Sequence, residues 1–344
     1  VKTPGLVDLQ VNGFAGVDFN SGAVTADALD RALEAMLATG VTACLPTLIT
    51  AHPHELEARF AALDRAVAES RLGPSMCPGY HLEGPFLNPA PGYAGCHPAE
   101  AMVAADAGLV ARLESRLVRP ILMVTVAPER EGGIAAVAAL AKAGKVVAIG
   151  HSAADFDVVA KAADAGATLS THLGNGLPQQ MHKLANTLFA QLGEDRLMAG
   201  FIADGIHIDR RALKSLIRAK GFERSILVTD AVVAAGAVPG RYDFAGMPID
   251  LAADGSVRQP GGASLAGSAL KLDDAVRNIV AWGIASFEEA VAMASIHALA
   301  ALVPALTAAG IALLESELTW SDDLRVERVR LGAILRDYTA GQAA

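Results

Sequence analysis

The sequence predicts an α/β protein folded as a closed (β/α)8 barrel, and three observations carry that expectation. Apolar runs of strand length recur eight times in the first 229 residues, most of them followed by a segment with helical spacing. The runs are near-continuously apolar, as parallel strands covered on both faces are. Several end in polar side chains, and the carboxyl ends of barrel strands are where such folds bind ligands. A doubly wound open sheet would show the same alternation; the count of eight and the polar strand ends favour the barrel.

The strand-length runs are residues 5–11, 41–49, 76–81, 121–127, 146–150, 167–171, 198–203 and 226–229. Helical spacing fills 26–38, 53–70, 98–113, 132–143, 155–164, 184–192 and 209–219 between them. The pattern then changes. Residues 242–250 alternate, Asp254-Gly255 is a turn signal and 256–259 can return, so a hairpin excursion is expected at about 240–262. Residues 268–282 and 286–302 read as two closing helices, and the alternating tail predicts two short strands around Asp322-Asp323. The expected division is a barrel over residues 1–305 and a C-terminal segment, 306–344, forming a small β remnant.

Composition narrows the function. Hydrophobic content of 52% excludes a disordered chain. A net charge of -9 argues against a nucleic-acid partner, which needs a basic stripe. It leaves a phosphorylated substrate open, because a local pocket can be positive on an acidic protein. Three scattered cysteines, Cys44, Cys77 and Cys96, point to reduced thiols in a cytoplasmic protein. The chain starts at Val1 without an initiator Met or a signal-like segment, as a trimmed N-terminus would. Residues 290–314 are nearly free of charge, but His297, Pro304 and Gly310 interrupt them. Buried helix, turn, buried helix is the expectation there, with no membrane span.

The chemistry is organised around residues 146–174, where two successive runs each end in a histidine, GHS at His151 and THLGN at His172. The third run leads into Glu83, the seventh into Asp204-Gly205-Ile206-His207 and the eighth into Asp230; the first carries Gln10 and Asn12 on one face. Taken singly, each has a plain structural reading. Glu83 can cap the turn at Gly84-Pro85, Asp230 can cap a helix, and His207 can sit on the surface. Taken together, Glu83, His151, His172, His207 and Asp230 converge on one barrel mouth. A carboxylate and two imidazoles are enough protein ligands for a catalytic zinc with an open position. Such an ion lowers the pKa of a bound water to about 7, and a further carboxylate can act as general base. That is the layout of metal-assisted hydrolysis. His52, His54 and His182 have no comparable placement and are expected to face solvent.

The motifs PGLVDLQVNG, HLEGPFLNP, GCHP, IGHS, THLGN, IADGIH, LVTDA and LAGSALKLDDAVRN, in this order, resemble the N-acetylglucosamine-6-phosphate deacetylase family of the amidohydrolase superfamily. The resemblance runs from Pro4 to about Ser295 and loosens beyond, where Ser295-Ile296-His297-Ala298 lacks the usual Pro-Ala step. It implies hydrolysis of the acetamide of an N-acetyl amino sugar, the 6-phosphate being the leading form, by a homodimer. By motif, Glu83, His151 and His172 correspond to metal ligands, Asp230 to the catalytic acid/base and His97 to the histidine that helps polarise the acetyl carbonyl. Cys96, Asn175, Gly176, Asp204, His207, Leu265, Ala266 and Gly267 correspond to substrate-contacting positions.

Three departures set further expectations. Gln10-Val11-Asn12 replaces a His-x-His that holds a second metal in some members, and amides are poor substitutes for imidazole. One divalent ion is expected, zinc first, with Fe2+ or another ion open. Where relatives place a phosphate-gripping arginine, PQQMHKLANT puts Lys183, a point charge without the bidentate fork. That leaves a deacetylase of a non-phosphorylated N-acyl sugar or N-acyl amino acid as an alternative; a catalytically silent sugar-binding barrel is the rival from another class. Finally, the preceding segment that pairs with the tail in the family is absent here, so the tail strands are expected to have uncovered edges.

Overall fold

In the computed structural model, which describes residues 1–262 and 264–339, eight parallel strands stand side by side in chain order. They are β1 (Leu6–Val11), β2 (Val41–Ile49), β3 (Tyr80–Glu83), β4 (Ile121–Val126), β5 (Val146–Ile149), β6 (Ala167–Ser170), β7 (Met198–Phe201) and β8 (Ser225–Leu227). The ring closes just past the ladder. Val11 bridges Ala231 in parallel, the Asp230 N–H donates to the Gln10 carbonyl at 3.0 Å, and the Asn12 N–H donates to the Ala231 carbonyl at 2.7 Å. Every residue of β1 to β5 is buried, including Asp8, Gln10, His81 and Glu83, which is why most of these runs are near-continuously apolar. The expected (β/α)8 barrel holds.

Several element bounds differ from expectation, each for a local reason. The third strand starts at Tyr80 rather than 76, because Met76 closes the short helix Gly73–Met76 and Pro78 lacks a donor for the ladder. The shift carries Glu83 itself into the sheet, opposite Ile49 and Thr125. The helix expected over 98–113 is split into a single turn, Ala99–Ala101, and a helix, Ala107–Glu114. Asp106 starts the latter by accepting from the Gly108 N–H at 2.7 Å. Likewise the helix expected from 184 starts at Thr187, after Asn186 accepts from the Phe189 N–H at 3.1 Å.

The two closing helices are three: Leu272–Ala281, Phe287–Ala294 and Ile296–Ala308. The break falls at Ser295, whose hydroxyl turns back to the Val291 carbonyl at 2.6 Å. Residues 287–308 are long and apolar enough to cross a bilayer, and 56% of an 18-residue apolar stretch within them is buried inside the protein. Ala290, Met293, Ala298 and Leu302 face inward, in the manner of a core helix.

The excursion is a three-stranded antiparallel sheet, β9 (Gly240–Phe244), β10 (Met247–Leu251) and β11 (Val257–Arg258). The alternating run 242–250 is therefore a hairpin and not one strand. Its turn is at Ala245-Gly246, both with positive φ. Nine side chains form an apolar cluster beneath it, among them Ile49, Val232, Val233, Phe244, Ile249 and Val257. Fully burying one large side chain of this kind contributes about 1.5–3 kcal/mol, so the sheet is firmly seated on the barrel mouth.

The tail forms three strands rather than two, β12 (Ser316–Trp320), β13 (Val326–Leu331) and β14 (Ile334–Asp337). Lys2–Thr3 pairs antiparallel with β12, so the edge expected to be bare is covered by the start of the same chain. The Trp320 indole N–H donates to the Thr3 hydroxyl at 2.7 Å and its ring packs edge-on against Phe287. Residues 340–344 of the expected C-terminal segment lie outside the described residues.

Candidate active site

Three of the strand-end side chains sit on left-handed backbone: His151 at φ 49°, His172 at φ 28° and Asp230 at φ 49°. Non-glycine residues rarely occupy this region, at a cost of about 1–3 kcal/mol each, and they cluster at functional sites. Backbone bonds over-determine each turn. The Asn88 N–H donates to the His151 carbonyl at 3.0 Å, the Leu173 N–H reaches Gly200 at 2.8 Å, and the Ser268 N–H reaches the Asp230 carbonyl at 3.1 Å.

The turns bring three donor atoms into a compact triangle. Glu83 Oε1 lies 2.9 Å from His172 Nε2 and 3.3 Å from His151 Nε2, and the two Nε2 atoms are 3.2 Å apart. Ligands at about 2.1 Å from one tetrahedral ion are separated by roughly 3.4 Å, so the triangle matches one face of such a site. His151 Nδ1 is held by the Tyr93 carbonyl at 2.6 Å, which leaves Nε2 as the nitrogen that could ligate an ion. Gly176 makes this packing feasible: a Cβ there would stand 2.6 Å from His151 Nδ1. His97 also places a ligand atom within 4.8 Å of Glu83 and His151. Its Nε2 is 3.8 Å from Glu83 Oε2, farther than the Nε2 atoms of His151 and His172 lie from Glu83 Oε1.

Electrostatics follow from the crowding. Burial favours a neutral Glu83, but hydrogen bonds from His151 and His172 outweigh it and hold the carboxyl well below its usual range. Burial likewise opposes charge on His172, yet the bond to Glu83 and its charge raise the imidazole to about 9. Asp230 is pushed up, first by burial and then by the charge of Glu83. Its Oδ1 accepts from Asn12 Nδ2 at 2.8 Å and from Gln10 Nε2 at 3.1 Å. The two strand-one amides thus orient the carboxylate.

His97 is kept neutral, lowered to about 3 by burial and by His151. The Thr50 N–H donates to its Nδ1 at 3.4 Å and the Thr50 hydroxyl lies 3.0 Å from the same nitrogen. A proton on Nε2 is the tautomer that satisfies both. Asp204 receives the Ile206 and His207 N–H groups at 2.8 and 2.9 Å and lies 2.6 Å from His207 Nδ1, leaving His207 Nε2 for a ligand.

These groups line a cavity of about 650 Å³ at the strands' carboxyl ends. Asn12, Glu83, Cys96, His97, His151, His172, Asn175, Gly176, His207, Asp230, Leu265 and Gly267 all reach it. Gln10 and Asp204 act through Asp230 and His207, and Ala266 is buried in the apolar cluster beneath the excursion. Lys183 is exposed and is not part of the lining. His52, His54 and His182 are exposed as expected. Sequence reasoning missed Gln179, Phe244 and Arg258 on the wall and Thr50 behind His97. The only available signal for Arg258 was its position on the returning strand of the excursion, seven residues before Leu265.

Residues 1–302 match the amidohydrolase family model. The chain is 33% identical to N-acetylglucosamine-6-phosphate deacetylase of Lysinibacillus sphaericus, over 86% of this chain and 74% of the relative. It is 35% identical to N-acetylgalactosamine-6-phosphate deacetylase of Escherichia coli O157:H7, over 86% and 76%. Among solved structures, a variant of N-acetyl-D-glucosamine-6-phosphate deacetylase from Mycobacterium smegmatis in complex with N-acetyl-D-glucosamine-6-phosphate superposes with a TM-score of 0.86. The identity is 30%, covering 97% of this chain and 86% of that one. The enzyme from Pasteurella multocida gives a TM-score of 0.85 at 26% identity, over 98% of this chain and 86% of that one. With the metal-compatible triangle at the mouth of its barrel, this chain belongs to the amidohydrolase family and is a metal-dependent hydrolase acting on an amide bond.

Proposed function

We propose that the chain hydrolyses N-acetylglucosamine 6-phosphate to glucosamine 6-phosphate and acetate. The observation that carries this reading is the Glu83–His151–His172 triangle facing a separately held carboxylate, Asp230, in one cavity. Glu83, His151 and His172 would hold one divalent ion, zinc by the chemistry of one carboxylate and two imidazoles. When bound, the ion supplies Lewis acidity, polarising the acetyl carbonyl and acidifying a water beside it. Asp230 takes the proton of the attacking water and returns it to the sugar nitrogen as the C–N bond breaks. His97, neutral and protonated on Nε2, donates to the carbonyl oxygen as it gains charge. His207 and Asn175 on the wall orient the sugar.

In this reading residues 1–305 are the catalytic unit, and the protein is a cytoplasmic homodimer. The three unbonded cysteines support a reducing compartment. A second reading, the galactosamine epimer, is favoured by the similarity to the Escherichia coli relative. The test is acetate release by metal-reconstituted protein from both 6-phosphates, the free N-acetylhexosamines and N-acetyl amino acids. Preference for N-acetylglucosamine 6-phosphate is expected. Equal or higher kcat/KM on an unphosphorylated substrate would overturn the phosphate reading, and no acetate from any of them would leave a silent barrel.

A further inference from the structure

We propose that Glu129 is a positioning residue for the metal centre, a carboxylate that ties the segment after Glu83 to the turn carrying His151; this rests on the metal triangle of the function proposed above. Strand β4 stands between β3, which carries Glu83, and β5, which leads into His151. It supplies no donor to the triangle. Just past its end at Val126 it supplies Glu129 instead. Glu129 Oε1 accepts from Asn88 Nδ2 at 2.9 Å and from the Ala153 N–H at 2.6 Å. Its Oε2 accepts from the Ser152 hydroxyl at 2.6 Å. One side chain thus holds both segments.

The connections close on His151 from both sides. Asn88 gives its side chain to Glu129 and its backbone N–H to the His151 carbonyl at 3.0 Å. Asn88 Oδ1 accepts from the Ala90 N–H at 2.9 Å, which orients the amide with Nδ2 toward Glu129. Ser152 is buried; its oxygen accepts from the Ala154 N–H at 3.0 Å and its proton is committed to Glu129. His151 needs this fixing, because its backbone at φ 49° is a strained conformation that only the surroundings maintain. A carboxylate suits the joint: bonds to an ionised acceptor are roughly twice as strong as neutral ones, and two oxygens serve three donors. Where the ligating arrangement is only partly populated, metal affinity falls by that fraction. Glu129 is not part of the cavity lining, so it reaches the ion only through the segments it holds.

The test is the zinc dissociation constant, measured by competition with a chromophoric chelator, for the wild type, Glu129→Ala, Glu129→Gln, Asn88→Ala, the Glu129→Ala/Asn88→Ala double variant and Trp320→Ala. Glu129→Ala is expected to weaken zinc about 10- to 100-fold, as loss of an outer partner of a metal site does. Glu129→Gln should restore part of this, because the amide oxygen still accepts from Asn88 and Ala153 while its NH2 donates to Ser152. The double variant should lose less than the two single losses combined, since both remove one shared bond. Trp320→Ala, which loosens the tail sheet, is the control for stability alone and should leave zinc affinity within about twofold of the wild type. Zinc affinity of Glu129→Ala within about twofold of the wild type overturns the proposal. So do fully additive losses, or an equal loss in Trp320→Ala, which would make the effect one of stability alone. If Glu129→Ala does not fold, Glu129→Gln and Asn88→Ala decide by the same criterion: unchanged zinc affinity in both overturns the proposal. A wild type that binds no zinc removes the triangle and this inference together. One that binds zinc tightly only with Glu129 present, yet deacetylates no sugar, supports the inference and overturns only the substrate reading.

Discussion

Replacing Asp230 by Asn changes one proton-accepting oxygen and little else, which makes it the sharpest perturbation of the site. Oδ1 already accepts two amide hydrogen bonds, from Asn12 at 2.8 Å and Gln10 at 3.1 Å. An asparagine carbonyl oxygen can keep both, putting its NH2 where Oδ2 was. The Glu83–His151–His172 triangle does not use Asp230, so metal content is expected to stay at one ion per chain. Removing a carboxylate that burial and Glu83 hold above its usual pKa should not lower the melting temperature. What is lost is general base and acid function, worth about 10²- to 10⁴-fold in rate, or roughly 3–5 kcal/mol. The assay is steady-state acetate release with metal analysis and thermal melting on the same preparation. The expected result is kcat lower by at least about 10²-fold at nearly unchanged KM. In the wild type, kcat/KM falls as pH drops through the raised Asp230 pKa, and that acid limb should vanish in the variant. Turnover within tenfold of wild type at full metal occupancy would refute the role assigned to Asp230.

Three further outcomes follow from the geometry. Chelation should abolish activity, and metal uptake at pH 7 should release about one proton per chain, because His172, raised to about 9 by Glu83, is protonated without the ion and must be neutral with it. The release should fade above pH 9, as calorimetry in buffers of different ionisation enthalpy will show. Gly176→Ala drives a methyl to 2.6 Å from His151 Nδ1 at φ +61°, so metal affinity should fall about 10- to 100-fold in a competitive titration. Trp320→Ala empties a site only 2% exposed and cuts the tie to Thr3; urea unfolding should report a loss of about 3–5 kcal/mol while metal content of the folded protein is unchanged.

The barrel, and the set of strand-end side chains that the structure gathers at its mouth, were legible from residue order. Parallel strands buried on both faces require continuous apolar runs, and whatever follows each run is carried to the same mouth. His151, His172, Glu83 and Asp230 could therefore be grouped without knowing any distance. What tertiary structure alone decided are the contacts between residues far apart in sequence. Gln10 and Asn12 orient an aspartate 220 and 218 positions away, and β12 finds its edge partner in Lys2–Thr3 at the other end of the chain. The cation facing the cavity is the plainest case. Lys183 lies close in sequence to His172, yet the loop carries it into solvent, while Arg258 is brought over the cavity by the register of β11 against Leu265. Local pattern determines which residues lie at a strand end; which long side chain then reaches across the mouth depends on packing energies summed over residues distant in sequence.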